Sequence, residues 1–137
     1  MIKDLTVIII TFQEELNIRE CIESAQELTR NIFVVDSYST DDTQKILKEM
    51  GVVFLEHEFI SYANKRNWAQ KNNPFNTEWV LHLDADERVS PSLSSWILNH
   101  FPQQKKLSDG FIFSRKILFL GKWIKHGDQY PNFHLRL

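Results

Sequence analysis

Two patterns of apolar and polar residues alternate along the first hundred positions. Continuous aliphatic runs such as 5–10 are typical of strands buried on both faces. Apolar residues spaced three or four apart, as in 14–28, are typical of amphipathic helices. The patterns predict strands over 5–10, 32–35, 52–55 and 79–83, and helices over 14–28, 43–50, 62–70 and 91–101. This alternation predicts an α/β fold with a mainly parallel sheet, because parallel neighbours need a helical crossover between them.

The pattern changes after Phe101. Residues 110–114, 117–120 and 133–137 are predicted to be β structure without helices between them, and 121–128 an irregular loop. One domain is expected over 1–137. Nothing in the last residues resembles a closing element, so the C-terminal part of the domain is expected to be incomplete.

Composition narrows the possible functions. The 137 residues include 16 Lys and Arg against 18 Asp and Glu, and this balance argues against a general nucleic-acid coat. Cys21 is the single cysteine, which excludes an intramolecular disulfide and a cysteine-rich zinc site. No apolar run approaches the ~20 residues of a membrane span, and the first residues do not form a signal peptide. A cytoplasmic protein is therefore expected.

The Asp-x-Asp pair Asp84 and Asp86 follows the fourth predicted strand. Ligands of open α/β sheets bind at the carboxyl ends of the strands, where these side chains are expected. Two carboxylates at this spacing can hold a divalent cation, which a nucleotide diphosphate needs for charge neutralisation. The alternative is a solvated turn before the next helix.

Three other strand-end or helix segments contain candidate ligand-binding residues. Asp36, after the second strand, can accept a hydrogen bond from a nucleobase, or it can belong only to a capped turn. Thr11 and Glu14 can line a nucleoside pocket, although acids here also suit the first turn of a helix. Arg66 can contact a pyrophosphate with its planar fork, or it can be part of a solvated helix face.

The predicted loop after residue 120 carries aromatic and basic residues. Trp123 can stack on a sugar and His126 can bond a hydroxyl, or both can anchor the loop. Lys116, Lys122 and Lys125 lie beside apolar residues and can contact an anionic membrane surface. A solvated basic loop is the alternative.

Four segments taken together resemble the family 2 inverting glycosyltransferases. They are VIIITFQEE (7–15), VVDSYSTDDT (34–43), ANKRNWA (63–69) and LDADE (83–87). Segment 121–127, GKWIKHG, is similar to the branch that includes lipopolysaccharide core β-1,4-glucosyltransferase-like proteins. The resemblance implies a GT-A fold, with a Rossmann-like sheet flanked by helices. It also implies nucleotide-sugar-binding βα units over 1–101 and the start of an acceptor-side region over 102–137.

The resemblance further implies a Mn²⁺- or Mg²⁺-dependent transfer of a sugar, with inversion, from a nucleotide donor that is commonly UDP-linked. The acceptor would be a cell-envelope glycan, a lipopolysaccharide core or a lipid-linked glycan, and the enzyme would act in the cytoplasm or at the inner membrane. Carried over by motif, the site comprises Thr11, Glu14 and Asp36 at the nucleoside, Arg66 near the donor, Asp84 at ribose or metal, and Asp86 at the metal.

The chain departs from the family pattern in two places. Ser37 and Tyr38 stand where relatives often have Asp-Gly, and the later acidic segment that holds the family's general base has no match here. The only acids after Glu87 are Asp109 and Asp128, which lie in no motif, so no base is assigned. A truncated, non-catalytic nucleotide-sugar-binding module is therefore the second hypothesis.

A third hypothesis is an aspartyl-phosphate enzyme of the haloacid dehalogenase type. Such enzymes place a nucleophilic Asp at the end of the first strand. This chain has Thr11 there, followed by Phe12 and Gln13. The pattern therefore favours the glycosyltransferase hypothesis.

Overall fold

The computed structural model describes residues 1–126 and 130–137. In chain order the elements are β1 (Leu5–Thr11), α1 (Ile18–Gln26), β2 (Ile32–Asp36), α2 (Thr43–Met50), β3 (Val53–Glu56), α3 (Tyr62–Lys71), β4 (Trp79–Asp84), α4 (Pro91–Asn99), α5 (Phe101–Gln104), β5 (Ile112–Ser114), β6 (Leu118–Phe119), β7 (Lys122–Trp123) and β8 (Phe133–Leu135). Strands and helices alternate up to β4, as the apolar pattern predicts. The α/β fold class is therefore confirmed.

The central sheet has the strand order β3-β2-β1-β4, and its paired neighbours are all parallel. Every residue of β1 is buried, which explains its mainly aliphatic sequence; the two buried polar residues of the strand are Thr6 and Thr11. The register pairs Thr11 with Asp36 on one side, and Ile10 with Asp84 on the other. The predicted meeting of these strand ends at one edge of the sheet is confirmed.

Two apolar layers cover the sheet. On one face, α1 buries Ile18, Cys21, Ile22 and Ala25 in the main core. A smaller cluster contains Ile8, Phe33 and Val35 with Ala69 of α3. Side chains of a strand alternate between the faces, so β1 contributes to both clusters. The sheet is thereby held from both sides.

Local sequence explains where several helices begin and end. Gly51 ends α2 in the left-handed conformation, with φ of 65°. The Ser61 side chain accepts a hydrogen bond from the Asn64 amide at the start of α3. Ser90 does the same for Leu93 in α4, where Pro91 occupies the first turn. These boundaries agree with the predicted starts of α3 and α4.

Two of the predicted helices are shorter than expected: α1 ends at Gln26 and not at residue 28, and its start and the end of α4 also differ. Residues 14–17 form a turn before α1, in which the Asn17 and Ile18 amides both donate to the Glu14 carbonyl. The helix predicted over 91–101 ends at Asn99, and the short α5 follows it. Pro102 lacks the N–H that would continue the first helix, and it lies in the first turn of α5 instead.

The C-terminal region differs from its prediction in one element. The segment predicted as an irregular loop contains β7, which pairs antiparallel with β6 in a two-stranded hairpin. Residues 127 and 128 of that loop lie outside the described residues. The strand predicted over 133–137 is β8, which ends at Leu135 and pairs antiparallel with β5. The assignment of 102–137 to an acceptor side stays a prediction.

The chain after β8 closes the outer edge of the main sheet. The His82 amide in β4 donates to the Arg136 carbonyl at 2.8 Å. Leu137 is buried in the main core. Within residues 1–126 and 130–137, the helices are all too short or too polar to cross a bilayer. The cytoplasmic location stays a prediction.

An aromatic cluster joins the C-terminal region to the core and provides a test of this packing. Phe101 is fully buried, with ring centroids 5.1 Å from Trp79 and 5.8 Å from Phe111. We expect Phe101→Ala to lower the free energy of unfolding by about 3–5 kcal/mol, because it removes buried area and leaves a cavity. Urea denaturation followed by circular dichroism measures this loss.

Phe119 is 65% exposed and provides the matched control. Phe119→Ala should change stability by no more than about 0.5 kcal/mol. If Phe101→Ala cost less than about 1 kcal/mol, the proposed contribution of the aromatic cluster would be wrong.

Candidate functional site

A cavity of about 830 Å³ opens at the carboxyl ends of β1 and β4. Of the sequence-predicted site residues, it is lined by Thr11, Glu14, Arg66, Asp84 and Asp86. The sheet register explains this grouping, because it places the ends of β1 and β4 side by side. The lining residues do not include Asp36, Trp123 or His126. The predicted site residues from three separate parts of the sequence therefore meet in this cavity.

The Asp84 carboxylate is held between two guanidinium groups. Arg66 Nη2 donates to Oδ1 at 2.7 Å, and Arg136 Nη2 donates to Oδ2 at 3.4 Å. The Asp84 amide donates to the Glu87 carboxylate at 3.0 Å. These contacts fix the orientation of Asp84, while a carboxylate has further lone pairs to accept other donors.

Asp86 has a different environment from Asp84. Its side chain is exposed at the cavity, and among residues 1–126 and 130–137 its carboxylate has no hydrogen-bond or ion-pair partner. The described part of the chain contains no cluster of three His, Cys, Asp or Glu that could ligate a metal by itself. One or two carboxylates with phosphate oxygens and waters are a usual ligand set for Mg²⁺. Asp86, with Asp84 beside it, fits a cation shared with a diphosphate.

Asp36 is fully buried, and its carboxylate is occupied by protein donors. It accepts from the Ser39 amide at 2.8 Å, the Ser39 hydroxyl at 2.6 Å and Gln44 Nε2 at 2.7 Å. These are the contacts of a capped turn, the alternative considered from the sequence. Tyr38 in this turn has a positive φ of 59°, a conformation that favours glycine. A nucleobase contact of Asp36 stays a prediction.

Thr11 and Glu14 lie where β1 leads into the cavity. The Thr11 hydroxyl is buried and has no protein partner among the described residues. An unpaired buried hydroxyl is unfavourable, and Thr11 lies in the cavity wall, so its hydroxyl is a candidate contact for a ligand. The Glu14 carboxylate accepts from Asn17 Nδ2 at 2.8 Å, and the Glu14 amide donates to the Thr43 hydroxyl.

Lys65 is a site residue that the sequence analysis did not identify. It is 2% exposed, and its ammonium donates to the Thr11 carbonyl at 2.8 Å and the Ser37 hydroxyl at 2.6 Å. Burial lowers the pKa of Lys65 from 10.5 to about 8, although nearby Asp36 opposes the shift. In the sequence, Lys65 stands four residues before Ala69, which places both on the same face of α3. This spacing is the sequence feature that could have indicated the burial of Lys65. Through these two hydrogen bonds, Lys65 links the last residue of β1 to the residue that follows β2.

Arg136 and Glu87 form a second group that the sequence analysis missed. Arg136 Nη2 lies 2.7 Å from Glu87 Oε1, and both side chains are largely buried. The same arginine affects His82. The pKa of His82 is lowered from 6.5 to about 4, mainly by burial and to a smaller extent by the positive charges of Arg66 and Arg136. In the sequence, Arg136 stands between two leucines at the end of a strand, which is a weak indication that its side chain is buried.

Four exposed aromatic side chains line the cavity. They are Phe12, Tyr38, Phe59 and Tyr62, each more than half exposed. Phe59 and Tyr62 make an edge contact, with centroids 5.2 Å apart. Exposed rings at a cavity are suitable for stacking with flat or apolar ligand groups.

The late aromatic candidates lie away from the cavity lining. Trp123 is half-buried, and the ammonium groups of Lys116 and Lys125 lie 4.7 and 4.9 Å from its ring centroid. His126 is exposed. Sugar contacts of Trp123 and His126 stay predictions.

Of the two acids considered for the base, one lies outside the described cavity lining and the other is not described. Asp109 is exposed outside it, and Asp128 lies outside the described residues. The structure therefore assigns no general base from the described acids after Glu87.

The chain is similar in sequence to known proteins. The family model described as Glycosyl transferase family 2 matches residues 6–135. An uncharacterised glycosyltransferase of Rickettsia prowazekii is 30% identical over 132 residues, covering 94% of this chain and 42% of that protein. One of Rickettsia typhi is 35% identical over 95 residues, covering 69% and 32%. The matches thus span about a third to two fifths of these curated relatives.

Solved structures show the same fold at low identity. TarS 1-349 of S. aureus has a TM-score of 0.63 and 22% identity, covering 86% of this chain and 36% of that one. Glucosyl-3-phosphoglycerate synthase of Mycobacterium tuberculosis, in complex with UDP, has a TM-score of 0.56 and 19% identity, covering 80% and 43%. 4-Diphosphocytidyl-2C-methyl-D-erythritol synthase has a TM-score of 0.63 and 14% identity, covering 99% and 73%. The predicted GT-A-type fold is confirmed.

The buried ammonium of Lys65 gives a pH-dependent prediction. Between about pH 8 and 10.5, unfolded Lys65 binds a proton that the folded form has lost. Stability therefore rises with pH in this window through Lys65. Relative to Lys65→Met, we expect the parent's free energy of unfolding to gain at most about 3 kcal/mol, since one pKa unit is about 1.4 kcal/mol. Urea denaturation at several pH values measures this difference.

Comparing the parent with its variant removes a second titration. Burial raises the pKa of Cys21 from 9.0 to about 12, which makes stability fall with pH in that range. Both proteins contain Cys21, so its effect cancels. Lys71→Met removes an exposed lysine from the same helix and serves as the control. A constant difference between parent and Lys65→Met across the window would contradict the lowered pKa of Lys65.

Proposed function

Because the chain belongs to glycosyl transferase family 2, we propose that it provides the donor-binding region of an enzyme that transfers a sugar from a nucleotide. The observation that carries this proposal is the placing of Asp84 and Asp86 beside Thr11 and Arg66 in one cavity. Nucleotide, sugar and cation need polar ligands of different kinds within a small space, and this strand edge provides them.

The proposed roles follow the environments of the carboxylates. Exposed Asp86 is the candidate metal ligand, while Asp84 is held by Arg66 and Arg136 and has lone pairs left for ribose or the same cation. A bound Mn²⁺ or Mg²⁺ would neutralise negative charge on the diphosphate leaving group. Thr11 and Glu14 line the nucleoside part of the cavity in this proposal, and the Asp36 contact requires an opening of its capped turn.

The donor proposed is UDP-linked. Glucosyl-3-phosphoglycerate synthase, which shares the fold, has been solved with Mn²⁺, UDP and glucosyl-3-phosphoglycerate, with a TM-score of 0.52. The aromatic side chains that line the cavity provide surfaces for a base or sugar. These features support a nucleotide-sugar site of the same general kind.

The reaction proposed is a single displacement with inversion. The acceptor hydroxyl oxygen attacks the anomeric carbon, the bond from that carbon to the diphosphate oxygen breaks, and the hydroxyl proton passes to a base. Attack opposite the leaving diphosphate inverts the carbon. The proposed acceptor is a cell-envelope or lipopolysaccharide-core glycan, free or lipid-linked, and its support is the resemblance of segment 121–127.

A non-catalytic nucleotide-sugar-binding module is the second candidate. It is favoured by the position of Asp109, which is exposed away from the cavity. Without a base near the acceptor, such a module would hold the donor but transfer its sugar poorly. Binding and turnover measurements separate the two candidates.

The first prediction concerns metal-dependent nucleotide binding. We expect Mn²⁺ to strengthen UDP binding, and Asp86→Asn to weaken binding in its presence by at least about tenfold, or about 1.4 kcal/mol. The substitution retains the size of the side chain but removes the charged ligand. Isothermal titration with and without Mn²⁺ measures the effect.

Asp109→Asn is the matched control, since it removes an exposed carboxylate outside the cavity. It should bind UDP and Mn²⁺ like the parent. Equal UDP affinity in the parent and Asp86→Asn would disprove the assigned role of Asp86.

The second prediction concerns turnover. Incubation of the chain with UDP-glucose, Mn²⁺ and a lipopolysaccharide-core acceptor is expected to release UDP and form a β-linked product, detectable by NMR. An α-linked product would contradict inversion. UDP binding without transfer or donor hydrolysis would instead support the non-catalytic module.

A further inference from the structure

The β6–β7 hairpin has a defined shape. Leu118 pairs with Trp123 and Phe119 with Lys122, and the Ile124 amide donates to the Ile117 carbonyl at 2.9 Å. Leu120 and Gly121 connect the strands with φ values of 48° and 74°. Two positive φ values are typical of the tight turn that matches the twist of a hairpin.

Four consecutive apolar residues, 117–120, are exposed at this hairpin. Leu118 is 67% exposed, Phe119 65% and Leu120 87%. Ile117, immediately before them, is 36% exposed. Single exposed apolar residues are common on proteins, whereas a contiguous apolar patch indicates a binding surface.

The charged residues of the hairpin segment are all basic. Residues 115–126 contain four of the chain's 16 Lys and Arg residues and none of its 18 Asp and Glu residues. Lys116 and Lys125 lie near the Trp123 ring, and Lys122 is on β7. The apolar turn is therefore flanked by cations on a chain whose net charge is −2.

We propose that the β6–β7 hairpin docks on an anionic lipid bilayer, with Leu118, Phe119 and Leu120 among the outer acyl chains. A bilayer surface offers hydrocarbon directly beneath negatively charged headgroups. The flexible lysine side chains reach those headgroups, and Trp123 has the amphipathic ring favoured at the interface. The combination of an apolar turn with flanking cations, in a segment 115–126 that contains no acidic residue, complements this occupant.

This occupant fits the surface better than a nucleic acid does. Nucleic-acid binding would use the lysines but would leave the leucines and phenylalanine without an apolar environment. Binding to another copy of the chain would bury the apolar turn while bringing like charges together. These alternatives make different predictions from lipid docking.

Vesicle flotation provides the direct test. The parent chain should float with vesicles containing phosphatidylglycerol and should bind much less to neutral phosphatidylcholine vesicles. Each of Lys116→Gln, Lys122→Gln and Lys125→Gln should weaken anionic-vesicle binding about fivefold. Added salt should weaken it further by screening the attraction.

Leu118→Asp combined with Leu120→Asp should abolish flotation while the thermal unfolding profile stays close to that of the parent. Leu16→Asp is the matched control, because Leu16 is 87% exposed on a different part of the chain. It should retain vesicle binding. Equal binding by the parent and the double variant, or no parent binding at millimolar lipid, would overturn the proposal.

Trp123 permits a second measurement. Lipids brominated near the glycerol end of their acyl chains should quench parent fluorescence more than Trp123→Phe fluorescence. Association of the parent into a dimer through the turn, without vesicle binding, would also overturn lipid docking. None of these measurements requires a sugar nucleotide, so their failure is distinguishable from failure of the proposed sugar transfer.

Discussion

The parallel pairing of β1 with β2 and β4 is the constraint on which the cavity depends. It places Thr11 beside Asp36 and the end of β4 beside the end of β1. A shift of one residue in either pair would move each side chain of the strand to the opposite core layer, where it would not fit its neighbours, so the packing of both layers fixes the register. The same apolar residues that stabilise the sheet therefore determine where the polar strand ends meet.

Buried cations organise this polar edge further. Lys65 connects the segments after β1 and β2, while Arg136 reaches the carboxylates after β4. Burying an ion is unfavourable unless hydrogen bonds and opposite charges compensate for lost hydration. These contacts provide part of that compensation, since the pKa of Lys65 is still lowered by burial and Arg136 Nη1 is buried without a partner among the described residues. The contacts of Arg136 also orient Asp84. Asp86 takes no part in these contacts and is exposed. The two acids of the Asp-x-Asp motif therefore have different environments.

Sequence periodicity was sufficient to predict the parallel sheet and the strand-end position of Asp84, because both depend on short regular patterns. It was insufficient for Arg136, whose contact with Asp84 joins residues 52 positions apart. The β7 strand was missed because the turn before it uses a positive φ at Leu120, a residue that rarely adopts this conformation. Pro102 explains the missed break between α4 and α5 through its absent N–H.

The hairpin and the cavity are connected at Arg115. Its Nη1 lies 3.5 Å from Glu87 Oε1, and its Nη2 lies 3.3 Å from His134 Nε2. Glu87 also contacts Arg136, which contacts Asp84. Lipid docking of the hairpin therefore places the membrane beside a residue of the cavity wall. A lipid-linked acceptor held in that membrane would then lie near the cavity. The proposed lipid docking would in this way support the proposed sugar transfer.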